Sequence, residues 1–183
     1  MVRLLEYWGE NPDREGLRDT PGRFLKGMRE MLKGYGEDPA EHLRKHFDIS
    51  DVEATRYDQV IISKNIPFVS FCEHHLMPFF GEAHIGYLPQ PEDSRVVGLS
   101  KLARCVEGFA ARLQVQERMT RQIHDAINSV LVPAGSMVLI EGTHTCQCWR
   151  GVKKQGTMVT SAIGGVFRDN PAARSEVLAL FKN

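Results

Sequence analysis

Two short segments rich in cysteine and histidine, Cys72-Glu73-His74-His75 and His144-Thr145-Cys146-Gln147-Cys148, stand far apart in the chain. Thiolate and imidazole together favour zinc. A fold in which both segments serve one ion has to bring them together across everything in between. Cys72 and His75 have C-x-x-H spacing, close enough for both to reach one metal. The second segment reads as strand over 143–149, and side chains alternate along a strand. His144, Cys146, Cys148 and Arg150 are therefore expected on one face, and spacing leaves either cysteine as the third ligand. Cys72, His75, Cys146 and Cys148 together would close a structural site, whereas three ligands plus water would leave a catalytic one. Ligand counting does not decide between them. His74 and His144 tilt the balance toward catalysis, since an imidazole beside each ligand segment can move protons. The plainer alternative is a pair of hydrogen-bonded core histidines.

Four cysteines in 183 residues are too few for a disulfide framework. Lys+Arg and Asp+Glu number 23 each, so the formal net charge is zero. That argues against the broad basic face a nucleic-acid binder needs, but leaves room for a local cationic pocket. Met137-Val138-Leu139-Ile140 is typical of the longest apolar runs, far short of the ~20 residues a membrane span requires. Met1-Val2-Arg3-Leu4-Leu5-Glu6 has no signal-peptide core, so a cytoplasmic protein is expected.

Along the chain, Leu4, Leu5 and Trp8 fit one face of a short helix that Asn11-Pro12-Asp13 breaks. Asp19-Thr20-Pro21 predicts a helix start, a capping side chain followed by proline. Phe24, Leu25, Met28, Met31 and Leu32 supply its apolar stripe, and Gly34 and Gly36 end it. Arg23 and Lys26 share the opposite face and read as solvated cations. Asp38-Pro39 opens a further short helix with Ala40, Leu43 and Phe47 inward. Strands are predicted at Val60–Ile62, Ile66–Phe71 and through Ala83, Ile85 and Tyr87, with a surface loop over 89–94. Leu102, Ala103, Val106, Phe109, Ala110 and Leu113 form the stripe of one long helix, and Met119, Ile123, Ala126, Ile127 and Val130 that of a second, stopped by Pro133 and Gly135. Strands at 137–141, 143–149 and 158–167 follow, then a helix from Asn170-Pro171 using Val177, Leu180 and Phe181. The order predicts an α+β fold with mostly antiparallel pairing.

Ser100-Lys101-x-x-Arg104 opens the first long helix, with Ser100 the expected N-cap. Unpaired N–H groups and the dipole make such an end attractive to phosphate. An ordinary capped helix with solvated cations is the plainer reading. Arg150, expected on the metal-facing side of its strand, is harder to dismiss, since it would repel the ion unless an anion lay between them. Glu117 lies near the start of the second long helix. An ionised carboxylate only accepts hydrogen bonds, which suits the adjacent ring N–H and amino donors of guanine.

These segments, with Pro78-Phe79, Gly98-Leu99-Ser100-Lys101-Leu102-Ala103-Arg104, Gln114-Val115-Gln116-Glu117-Arg118 and Arg150-Gly151, resemble the GTP cyclohydrolase I family over nearly the whole chain, from Leu17-x-Asp19-Thr20-Pro21 to the last helix. The resemblance implies zinc held by Cys72, His75 and Cys146, acid/base roles for His74 and His144, and a guanine anchor at Glu117. It implies triphosphate contacts from Ser100, Lys101, Arg104 and Arg150, with Arg23 and Lys26 lent by a neighbouring subunit, against the solvated reading above. It further implies conversion of GTP and water to dihydroneopterin triphosphate and formate, and a homodecamer with sites between subunits. The fold implied is the tunnelling fold, an antiparallel sheet with two long helices on one face. A helical N-terminal segment would occupy 1–56 and one catalytic unit 57–183. Cys148 departs from the family pattern and leaves open a fourth ligand or a disulfide with Cys72 or Cys146. Two other readings compete: a structural-zinc protein that binds guanine nucleotide without turnover, and a relative of the deazaguanine nitrile reductases, which the dense Cys/His set argues against.

Overall fold

Apolar residues alternating along 61–88 and 135–165, and recurring every three to four residues along 99–131, give a sheet with helices laid on it. The structure, a computed structural model, describes residues 1–48, 57–91 and 95–182. Helix α1 (Val2–Tyr7) and helix α2 (Thr20–Met31) lead into 3-10 turns at Lys33–Gly36 and Pro39–Arg44. Strand β1 (His46–Asp48) pairs with β4 (Arg95–Val97) in a small separate sheet. The main sheet has the order β5-β2-β3-β6-β7, built from β2 (Ile61–Cys72), β3 (Met77–Leu88), β5 (Leu113–Gln114), β6 (Gly135–His144) and β7 (Thr157–Gly165). β2, β3, β6 and β7 pair antiparallel, and β5 adds a parallel edge beside Phe71 and Cys72.

Helices α3 (Leu99–Ala110) and α4 (Gln116–Leu131) cover one face of this sheet. Their stripes bury Leu102, Val106, Met119, Ile123 and Ile127 against Phe79, Ala83, Ile85, Val138 and Ile140. Each such side chain removed from water stabilises the fold by roughly 1.5–3 kcal/mol. Among the described residues, the other face is covered at one end only. There α6 (Val166–Asp169) and α7 (Pro171–Lys182) place Phe167, Val177 and Phe181 over Met137 and Leu139. Asn170 caps α7, its Oδ1 accepting from Ala172 N–H at 2.9 Å. Nearer the Cys72 end, Val69, Phe80 and Val159 of that face are exposed.

Several expectations shift. The two strands expected at 60–71 are one, irregular between Ser63 and Ile66, where Asn65 adopts φ 56°. Phe47 lies in β1 and is exposed, while Leu43 is fully buried. The stripe of α2 reaches no core, for the helix has no buried residue. The N-cap of α3 is Gly98, not Ser100, because the first helical bond runs from Lys101 N–H to Gly98 O at 2.8 Å. The strand expected over 143–149 ends at His144, and α5 (Thr145–Cys148) follows. β7 stops at Gly165, so Phe167 belongs to α6. The loop expected over 89–94 lies partly outside the described residues.

Candidate metal and nucleotide site

The turn between β2 and β3 carries Glu73, His74, His75 and Leu76. It closes on the Cys72 carbonyl, which accepts from Leu76 N–H at 2.9 Å and His75 N–H at 3.3 Å. Leu76 takes φ 52°, an unfavourable left-handed conformation for a branched side chain, held by that tight closure. Cys72 is buried, while His74 and His75 are exposed. The register places Phe79 opposite His144 at the same end of the sheet. One residue beyond His144, α5 turns Cys146 toward the hairpin.

Ligand atoms of Cys72, His75 and Cys146 all lie within 4.8 Å of one another. Cys72 Sγ is 3.6 Å from His75 Nδ1. A tetrahedral ion with Zn–S near 2.3 Å and Zn–N near 2.0 Å separates neighbouring ligands by roughly 3.5 Å, so the group fits a metal of that kind. Burial, then the neighbouring Cys72, pushes the Cys146 thiol above its ordinary pKa. The Cys146 thiol therefore resists ionising until a cation joins it. His74 Nδ1 lies 3.8 Å from Cys72 Sγ.

Cys148 does not join this group. Successive residues of a helix turn by about 100°, so i and i+2 face nearly opposite ways, unlike the same positions in a strand. Cys148 instead lines a cavity of about 500 Å³ with Phe80, Thr143, Trp149 and Thr157. All four cysteines are free, which removes the disulfide alternative. Arg150 lies past α5 and is exposed, and its charge reaches Cys146.

His144 stacks on Phe79 with ring centroids 4.4 Å apart and planes 6° from parallel. Its Nε2 is 2.9 Å from Gln116 Oε1. Burial lowers its pKa below the usual imidazole value, and Glu117 opposes the shift. Glu117, second residue of α4, is exposed at this same end. Its neighbour Arg118 pairs with Glu73, which ties the metal turn to the start of α4. That contact holds the Glu73 carboxyl below its ordinary range.

Ser100, Lys101 and Arg104 are elsewhere. The start of α3 sits beside Ile61, Ile62 and Tyr87, at the far end of β2 from Cys72. The helix then runs about 15 Å before β5 comes beside Cys72. Partial burial, then Arg104 and Lys45, lowers the Lys101 pKa, as expected for crowded cations. Lys45 joins this cluster without having been flagged in the sequence. Only the folded backbone brings it there, through Gly98 N–H donating to Lys45 O at 3.3 Å. Arg23 and Lys26 are exposed on α2, where Arg23 contacts Asp19 at 3.5 Å. One chain thus gathers Cys72, His74, His75, Glu117, His144, Cys146 and Arg150 at one end of the sheet, while Ser100, Lys101 and Arg104 lie at the other. Gln116, Phe79 and the Glu73–Arg118 pair were missed because nothing in their spacing marks them.

The family model for GTP cyclohydrolase I matches residues 1–182. The chain belongs to the GTP cyclohydrolase I family. Relatives named GTP cyclohydrolase 1 agree along nearly all of it. That of Pelotomaculum thermopropionicum is 51% identical over 183 residues, covering 99% of this chain and 93% of the relative. That of Carboxydothermus hydrogenoformans is 48% identical over 178 residues, covering 97% and 88%. That of Chlorobaculum tepidum is 49% identical over 184 residues, covering 100% and 79%. Among solved structures, the apo archaeosine synthase QueF-Like aligns with a TM-score of 0.43 at 11% identity, over 58% of this chain and 96% of that one. That likeness is too loose to speak for fold or activity. As a GTP cyclohydrolase I family member the chain is an enzyme. No helix among its described residues is long and apolar enough to cross a membrane.

Proposed function

We propose that this enzyme opens the guanine imidazole ring of GTP hydrolytically, then rearranges and recloses it to 7,8-dihydroneopterin triphosphate with release of formate, the first step of pterin and folate synthesis. The observation that carries this reading is the convergence of Cys72, His75 and Cys146 beside His144 and Glu117 at one end of the sheet. Zn2+ is the cofactor we assign, and when bound it supplies Lewis acidity and a water acidified to a pKa near 7. Cys72, His75 and Cys146 would hold it. Glu117 accepts the paired donors of the guanine edge and fixes the base. His144, neutral near pH 7 because burial lowers its pKa, takes up or returns a proton as the ring nitrogen departs. His74 is the second proton carrier, exposed on the same turn. Arg150 approaches the phosphate tail from the metal side.

The remaining cations come from other copies. Ser100, Lys101 and Arg104 lie too far from the metal group to grip the same nucleotide within one chain, and Arg23 and Lys26 sit on a helix with nothing buried under it. We assign a homodecamer with sites between subunits, a tunnelling fold formed by residues 57–183 as one catalytic unit, a helical extension at 1–56, and a cytoplasmic location. A closed structural site that binds nucleotide without turnover requires Cys148 as a fourth ligand, and Cys148 faces a different cavity. Incubation with GTP, with and without chelator, tests the reading through formate and pterin fluorescence. Cys146→Ser is expected to lose zinc and product, and Cys148→Ser to keep both. Turnover untouched by chelator, or the two cysteines exchanging roles, overturns it.

A further inference from the structure

Gln116 opens α4 with its side chain 1% exposed, among the most buried polar groups of the chain. Its Nε2 lies 3.1 Å from Ile140 O, 2.9 Å from Met158 O and 3.0 Å from Thr160 Oγ1. Two of these are carbonyls, which only accept, so this end of the amide is the NH2 group. The other end, Oε1, is an acceptor and receives the hydrogen of His144 Nε2 at 2.9 Å. The hydroxyls agree. Thr120 Oγ1 donates to Gln116 O at 2.8 Å, so in its 2.7 Å contact with Thr160 the hydrogen comes from Thr160. The Gln116 amide has two hydrogens for its three acceptors, so one of the contacts shares a hydrogen with another. Because Gln116 Oε1 only accepts, the His144 ring carries a hydrogen on Nε2.

A second observation concerns the slot that the amide fills. A Cβ at Gly142 would meet Gln116 Oε1 at 2.4 Å and Cδ at 3.3 Å. Any side chain at 142 would displace the acceptor that His144 uses.

We propose that Gln116 is a positioning residue for the reaction, its buried amide accepting from His144 Nε2 and holding the ring flat against Phe79, so that the imidazole meets the purine in one fixed orientation. The inference rests on the proton-carrying role given to His144 above. Removal of a hydrogen-bond partner that orients a reacting imidazole costs on the order of 10- to 100-fold. Gln116→Met keeps the length of the side chain without its polar atoms. In the zinc-loaded enzyme it is expected to lower kcat by that factor while KM moves less than about twofold, since the contact bears on the reacting ring and not on binding. Zinc content stays at the level of the unsubstituted protein. A crystal structure of the variant is expected to show His144 rotated off Phe79. Gly142→Ala, which pushes the amide aside without removing it, is expected to do the same and serves if Gln116→Met does not fold. In a His144→Ala background, Gln116→Met is expected to change residual turnover less than about twofold, because residues acting through one another are not additive. A kcat near normal in both variants, or zinc and GTP binding lost in step with turnover, overturns the inference. Normal turnover by His144→Ala alone overturns the reading of the site beneath it.

Discussion

In α4, Met119, Ile123, Ala126 and Ile127 lie under the sheet and are buried. In α2, Phe24, Leu25 and Met31 follow the same helical spacing, yet all three are exposed, Leu25 at 67%. Sequence periodicity gives both helices an apolar side, but among the described residues only α4 buries it. The difference lies in connection. α4 is held on the sheet by its neighbours: β5 beside Cys72 before it and β6 after it. α2 is followed by the turn at Lys33–Gly36, where Gly34 N–H donates to Ala111 O at 3.0 Å just past the end of α3, and no strand adjoins α2 in sequence to hold it on the sheet. A stripe left unburied by the described residues is the kind of surface an assembly interface uses.

The comparison can be broken at several points. Ile123→Ala in α4 opens a cavity in the core and is expected to cost about 2–5 kcal/mol, read by chemical denaturation. Leu25→Glu in α2 is expected to leave the circular dichroism of the subunit intact while sedimentation shows smaller species and turnover falls. A native-mass assembly with full activity would return α2 to the ordinary surface. The third point is pH. His124 of α4 is buried against Ser136, Asn128 and Asp125, and burial is the largest cause lowering its pKa, with Arg121 and Arg168 adding to it and Asp125 opposing. The unfolded chain then binds the proton more readily than the folded one. Stability is full above the ordinary imidazole value near 6.5 and declines as pH falls through it toward the folded pKa. Denaturation midpoints across that window are expected to fall with acid, and His124→Gln to flatten the slope. The smallest effect belongs to the outer side of α4. Arg121 and Asp125 form an exposed pair, so Arg121→Ala is expected to cost no more than about 0.5 kcal/mol in the same measurement.

Much of this was legible before folding. The stripes of α3 and α4 and the alternation in β3 are periodic signals spread over many residues, and these survived except at Leu113, which belongs to β5 and not to the α3 stripe. The Cys72 and His75 pair was legible because C-x-x-H is a local spacing. The relation between Cys146 and Cys148 was not. A four-residue helix and a strand end look alike at that length, and the two put alternate residues on opposite or equal sides. The Ser100 cap failed for a similar reason, since glycine at 98 already ends the extended segment. Gln116 stayed invisible because a glutamine at a helix start carries no signal of its own. Its partners arrive from Ile140, His144, Met158 and Thr160, which the sequence cannot place around it.

On the function and assembly proposed above, the two ends of the sheet would hold complementary halves of one nucleotide clamp, which a single chain could not close on itself. A solitary subunit would be fully folded and loaded with its ion, yet idle. Competence would then be a property of concentration, and dilution would silence the protein before it unfolded anything. A ring serves this arrangement better than an open row, because closure leaves no half unmatched at either end.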